Sequence, residues 1–126
     1  MFFKVFIIGL AFLLFRCGYH EEKEGTETPV SITPTFGSIQ SVILTPKCVR
    51  CHSGQRAPQA VDLTEYRLLM RGGAEGPIVV PGDPEASPFY QVLRSGAMPQ
   101  GGPMLSELEI MAVYEWINQG ARGGET

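Results

Sequence analysis

From Val5 to Phe15 the chain is continuously apolar, with Lys4 in front, Arg16 behind and no acidic residue before Glu21. A positive start followed by a short apolar run is the layout of an export signal, which assigns residues 1–16 to a signal peptide too short to span a bilayer comfortably. The pattern then reverses. Residues 17–34 hold Glu21, Glu22, Glu24 and Glu27, several threonines and little large apolar material beyond Tyr19, Val30 and Ile32, the composition of a flexible acidic tether.

Helical periodicity begins at Thr35, a cap ahead of Phe36, Ile39, Val42 and Ile43, and predicts a first helix that ends before Pro46. A second helix is predicted over Leu63–Arg71, capped by Asp62 or Thr64 and stopped by Gly72-Gly73. In Ser87-Pro88 a capping hydroxyl is followed by proline at the first helical position, opening a third helix through Phe89, Tyr90, Val92 and Leu93 to about Gly96. The last is the clearest. Ser106 and Glu109 have capping-box spacing; Leu108, Met111, Ala112, Glu115 and Trp116 share approximately one face; Ile110, Val113, Tyr114 and Ile117 widen the stripe; and Gly120 ends it. The only β-like run is Ile78-Val79-Val80, in a Gly/Pro setting. The expectation is an all-α domain over residues 35–122, about four short helices and long loops, with a tail at 123–126.

Composition narrows this further. With 126 residues, 15 of them Gly and 10 Pro, the chain suits one domain rich in turns. The signal consumes part of the aromatic supply, so few large residues remain to build an interior. A buried apolar group other than a side chain would supply the missing bulk.

The run Cys48-Val49-Arg50-Cys51-His52 supplies the matching chemistry. Two thiols one helical turn apart can each form a thioether to a vinyl group of one porphyrin, and the next residue, a histidine, reaches the iron. Zinc would need four ligands, and the predicted domain offers only Cys48, Cys51 and His52 in one cluster. A thioredoxin-like dithiol would need a βαβ setting, which this pattern lacks. One covalent haem c is the expected cofactor.

What fills the iron's sixth position separates electron transfer from small-molecule chemistry. His20 lies in the tether and is given no role. Met98, in the loop Gly96-Ala97-Met98-Pro99-Gln100-Gly101-Gly102-Pro103, has few side chains around it to obstruct its approach, and Pro99 keeps its backbone extended. Met104 is the runner-up; Met70 and Met111 fall on helix faces, where methionine more often fills a core. A labile sixth ligand would instead point to a haem enzyme or sensor. A haem subunit of a larger oxidoreductase is a third reading.

Three cysteines leave Cys17 over after the haem pair. Leu14-Phe15-Arg16-Cys17 resembles a bacterial lipobox, although Phe15 and Arg16 depart from its small residues; the competing reading is a plain signal or uncleaved anchor with Cys17 incidental. Lipid at Cys17 would hold the protein at a membrane in the periplasm or cell envelope, where c-type haem is attached. Removing Lys4 and Arg16 with the signal takes the net charge from −3 to −5, yet Lys47, Arg50 and Arg56 surround the haem motif. That local basicity suits docking to an acidic patch on a redox partner protein. No phosphate-cradling loop or nucleic-acid footprint is present.

Together these features resemble a class I c-type cytochrome. More narrowly they resemble small exported bacterial cytochrome c domains, through Val79-Val80-Pro81-Gly82-Asp83-Pro84, Ser87, Tyr90, Met98-Pro99, Leu105-Ser106, Glu109-Ile110 and Trp116-Ile117-Asn118-Gln119-Gly120-Ala121. The resemblance spans Phe36 to Arg122. It implies thioethers at Cys48 and Cys51, His52 as proximal and Met98 as distal ligand. It also implies that the first and last helices pack together, Phe36 and Ile39 against Tyr114 and Trp116.

Overall fold

A computed structural model of the protein describes residues 31–124. The signal peptide, Cys17, His20 and most of the tether lie outside the described residues. Among the described residues, Ile32 packs on the core and the Thr33 N–H donates to Ser38 Oγ at 3.0 Å.

Helix α1 (Phe36–Ile39) starts as its sequence predicts, with Thr35 Oγ1 accepting from the Ser38 N–H at 3.3 Å. It does not end at Pro46. The coil continues as a wider, π-type helix (Gln40–Cys48), and the following Val49 N–H still reaches five residues back to the Leu44 carbonyl at 2.9 Å. In an α-helix Pro46 would lack a donor and crowd the carbonyl four residues earlier; a wider turn relaxes that crowding. The consequence is functional, because the helix delivers Cys48 at its last residue, with Ile39, Ile43 and Leu44 buried behind it.

Two single turns of 3-10 helix, Gly54–Arg56 and Pro58–Ala60, lead to α2 (Tyr66–Arg71). It begins at Tyr66 rather than Leu63, since neither expected cap serves it: the Asp62 carboxylate is engaged by Gly54 and Thr64 instead. Gly72 ends it with φ +81, and a Cβ there would overlap the Gly76 carbonyl oxygen. Among the described residues there is no strand, only a Gly73–Gly76 bridge; Ile78-Val79-Val80 is loop, with Val79 buried.

Helix α3 (Pro88–Arg94) has proline at its first position, but the Ser87 hydroxyl does not cap it. Fully buried, that hydroxyl donates to the Asp83 carbonyl at 2.7 Å and accepts from the Val80 N–H at 2.9 Å, pinning the turn ahead of the helix. Helix α4 (Glu107–Asn118) has both halves of its capping box. It packs against α1 and α3, which cover Ala112, Val113, Trp116 and Ile117. Leu108 and Met111, expected on the packed face, are 71% and 57% exposed. The apolar stripe wraps further round α4 than two neighbouring helices can cover.

Aromatic contacts join the ends of the chain. The Phe36 ring meets Tyr66 edge-on at 5.2 Å and Trp116 at 6.1 Å. Tyr114, expected beside α1, packs on the core and meets Tyr90 of α3 edge-on at 5.4 Å. Beyond α4, the Trp116 indole donates to the Arg122 carbonyl and the Tyr66 hydroxyl to the Ala121 carbonyl. Among the described residues, no helix is long and apolar enough to cross a membrane.

Ser106→Ala removes the acceptor for the Glu109 N–H and should cost about 1 kcal/mol in chemical denaturation. An unchanged midpoint would show that the capping box contributes nothing.

Candidate functional site

A cavity of about 560 Å³ opens between the end of the π-type helix, the loop after it, α3 and the Met98 loop. It is of a size that takes a cofactor or other sizeable ligand. Its walls include Val61, Leu63, Ile78, Phe89, Val92 and Leu93, so they are largely apolar. Cys48, Cys51, His52 and Met98 all line it.

The turn following the π-type helix brings the motif together: the N–H groups of Cys51 and His52 both donate to the Cys48 carbonyl, at 3.0 and 2.9 Å. Cys48 is buried and Cys51 exposed. Burial pushes the Cys48 thiol from 9.0 up to about 11, against the pull of the Lys47 ammonium beside it. Among the described residues, no three His, Cys, Asp or Glu side chains converge on a common metal position.

His52 Nδ1 lies 3.1 Å from the Val61 carbonyl oxygen. A carbonyl can only accept, so Nδ1 carries the proton and Nε2 keeps its lone pair free to bind a metal. The same loop is closed a second time by the Leu63 N–H donating to the His52 carbonyl at 2.9 Å.

Asp62 sits between these two contacts. Its Oδ2 accepts from the Gly54 N–H at 2.7 Å, and its Oδ1 accepts from the Thr64 hydroxyl at 2.6 Å and the Thr64 N–H at 3.0 Å. The Thr64 hydroxyl bond, helped by the two backbone N–H groups, holds the carboxyl below its ordinary value. One side chain thus clamps both ends of the loop that presents Val61 to His52. On the neighbouring wall Gln59 takes φ +55; its carbonyl accepts from the Ala74 N–H at 2.7 Å, and a Cβ on Gly73 would come within 2.6 Å of it. The Gly72-Gly73 pair therefore allows close approach to the crevice wall besides ending α2.

Met98 is half-buried against the core, its N–H donating to the Val92 carbonyl at 3.0 Å, and it is the methionine that lines the crevice among those described. Met104 is not brought to it: 56% exposed, it folds its methyl over Gly96. Met70 packs on the core and Met111 is exposed.

Of the three basic residues near the motif, Lys47 is paired with Glu109 of α4 at 2.5 Å, while Arg50 and Arg56 are exposed. Burial alone would raise the Glu109 carboxyl, but hydrogen bonds from Lys47 and Ser106 outweigh it and hold the group low. Neither the Lys47–Glu109 pair nor the roles of Val61 and Asp62 follow from the sequence reading. Val61 acts through a backbone group that every residue carries. Asp62-Leu63-Thr64 has the spacing of a carboxylate that bonds its own backbone two residues on, a signal that also fits a helix cap.

The residues present fit a haem: apolar walls, two thiols, a histidine with its tautomer set, and a thioether. A family model described as Planctomycete cytochrome C matches residues 48–101. The matched span opens on Cys48 and closes just beyond Met98, so it encloses the motif, the clamped loop and the methionine. No curated protein and no solved structure matches the chain. The match and the helical architecture define an all-α, cytochrome c-like domain. A domain of this type implies a haem cofactor and, in general terms, haem-based electron transfer.

Asp62→Asn should lower stability most at neutral pH, and the gap to the wild type should close as pH falls through the carboxylate range. A carboxyl held low in the folded state contributes above its unfolded value and loses that contribution on protonation. Denaturant midpoints across that range check this; a gap independent of pH would contradict it.

Proposed function

We propose that the protein is a monohaem c-type cytochrome that carries one electron at a time between redox partners in the cell envelope. Cys48 and Cys51 form the thioethers, His52 is the proximal ligand and Met98 the distal one. The observation that carries this is the His52–Val61 hydrogen bond in a crevice also lined by Met98 and both thiols.

Haem bound there supplies a one-electron iron couple. The chain's own groups do the rest. The Val61 carbonyl holds the proton on Nδ1 and strengthens His52 as a donor through Nε2. Met98, which lines the same crevice, would hold the iron through its thioether, excluding substrates and, relative to histidine, favouring the reduced state. With haem bound, the largely apolar walls would act in the same direction. A closed, prearranged centre changes little between oxidation states, which suits a carrier better than a catalyst.

Export by residues 1–16 and lipid at Cys17 would place this domain at a membrane surface, with residues 18–34 as its tether. Arg50, exposed at the crevice, and Arg56, exposed four residues after His52, offer positive charge to an acidic partner.

In protein made with a c-type haem assembly system, Met98→Ala should abolish the ferric methionine-to-iron absorption band and lower the reduction potential. A band that survives the substitution would remove Met98 from the iron. Labelled fatty acid should enter the wild type and not Cys17→Ser; label that persists in the variant would sink the lipid anchor.

A further inference from the structure

Lys47 and Glu109 stand apart from the other ion pairs among the described residues. Their side chains are 22% and 12% exposed, against 60% and 61% for Arg94–Glu85 and more than half for Arg67–Glu65 (86% and 63%). Exposed pairs are screened by water and salt; a pair largely out of solvent acts on its surroundings through a lower dielectric. The two members also differ in position. Lys47 lines the crevice directly next to Cys48, whereas Glu109 approaches from α4 behind it.

The anion does not depend on the cation for its place. Glu109 Oε1 accepts from Lys47, while Oε2 accepts from the Ser106 N–H at 2.8 Å and the Ser106 hydroxyl at 3.1 Å. The capping box therefore fixes a carboxylate beside the haem motif whatever happens at Lys47. Both charges already reach the motif in opposite senses, since Lys47 favours and Glu109 disfavours the ionised Cys48 thiol.

We infer that the Lys47–Glu109 pair tunes the reduction potential of the haem centre, Lys47 raising it and Glu109 lowering it. The inference rests on the reading of one haem held by His52 and Met98. Taking up one electron converts ferric to ferrous iron and removes one unit of positive charge from the crevice. A neighbouring ammonium favours that change and a neighbouring carboxylate opposes it. The start of α4 is thereby linked to the redox centre, because the carboxylate that completes the capping box of Ser106 is also the counter-charge.

The test is potentiometric titration of the haem-loaded wild type, Lys47→Gln, Glu109→Gln and the double variant. Glutamine at position 109 can keep the capping box. The expected shifts have opposite sign: Lys47→Gln lowers the potential, Glu109→Gln raises it, and the double variant falls between them. Shifts of the same sign, or none, with the methionine-to-iron band intact, would overturn the inference while leaving the haem reading standing. Loss of the band in either single variant would also overturn it, by making the pair a structural strut. A wild type without the band would overturn the axial assignment itself.

Discussion

The hydrogen bond from His52 Nδ1 to the Val61 carbonyl is the contact on which the rest of the site depends. A histidine has two equivalent-looking nitrogens, and only a fixed acceptor on one makes the other a dependable ligand. Here the acceptor is a backbone carbonyl nine residues on, so the loop between must close with little freedom. Asp62 bridging Gly54 and Thr64, and the Leu63 N–H on the His52 carbonyl, supply that closure. The apolar crevice, the thiols and Met98 gain their meaning from a histidine already set to bind.

The helices serve the crevice from two sides. The π-type turn carries the chain past Pro46 and sets Cys48 at the helix end, while the Phe36, Tyr66 and Trp116 rings lock α1, α2 and α4 behind it. Helix α3 presents Phe89, Val92 and Leu93 to the cavity and anchors Met98 through the Val92 carbonyl. A chain this short in large side chains divides its apolar surface between a compact helical core and the walls of a cofactor site. Bound haem would join the two into one interior.

Much of this was legible in the sequence where chemistry and local geometry coincide. The capping box at Ser106 and Glu109, the cap at Thr35, the stop at Gly72 and the crevice position of Cys48, Cys51, His52 and Met98 rest on residues with few alternative uses. Residues with several uses were harder. Ser87 and Asp62 are equally good helix caps and turn clamps, and tertiary partners decided for the turn in both cases. Leu108 and Met111 belong to a stripe wider than its cover, and periodicity cannot say which sector a neighbour will take. The pairing of Lys47 with Glu109 spans 62 positions and leaves no local trace.

The central claim is that one haem is bound covalently through this crevice. Intact-mass measurement of the denatured protein, produced with a c-type haem assembly system, tests it most directly. The account predicts a mass gain of one haem that survives denaturation and disappears when Cys48 and Cys51 are both replaced by alanine. No mass gain, haem released on denaturation, or haem retained by the double-alanine protein would contradict it.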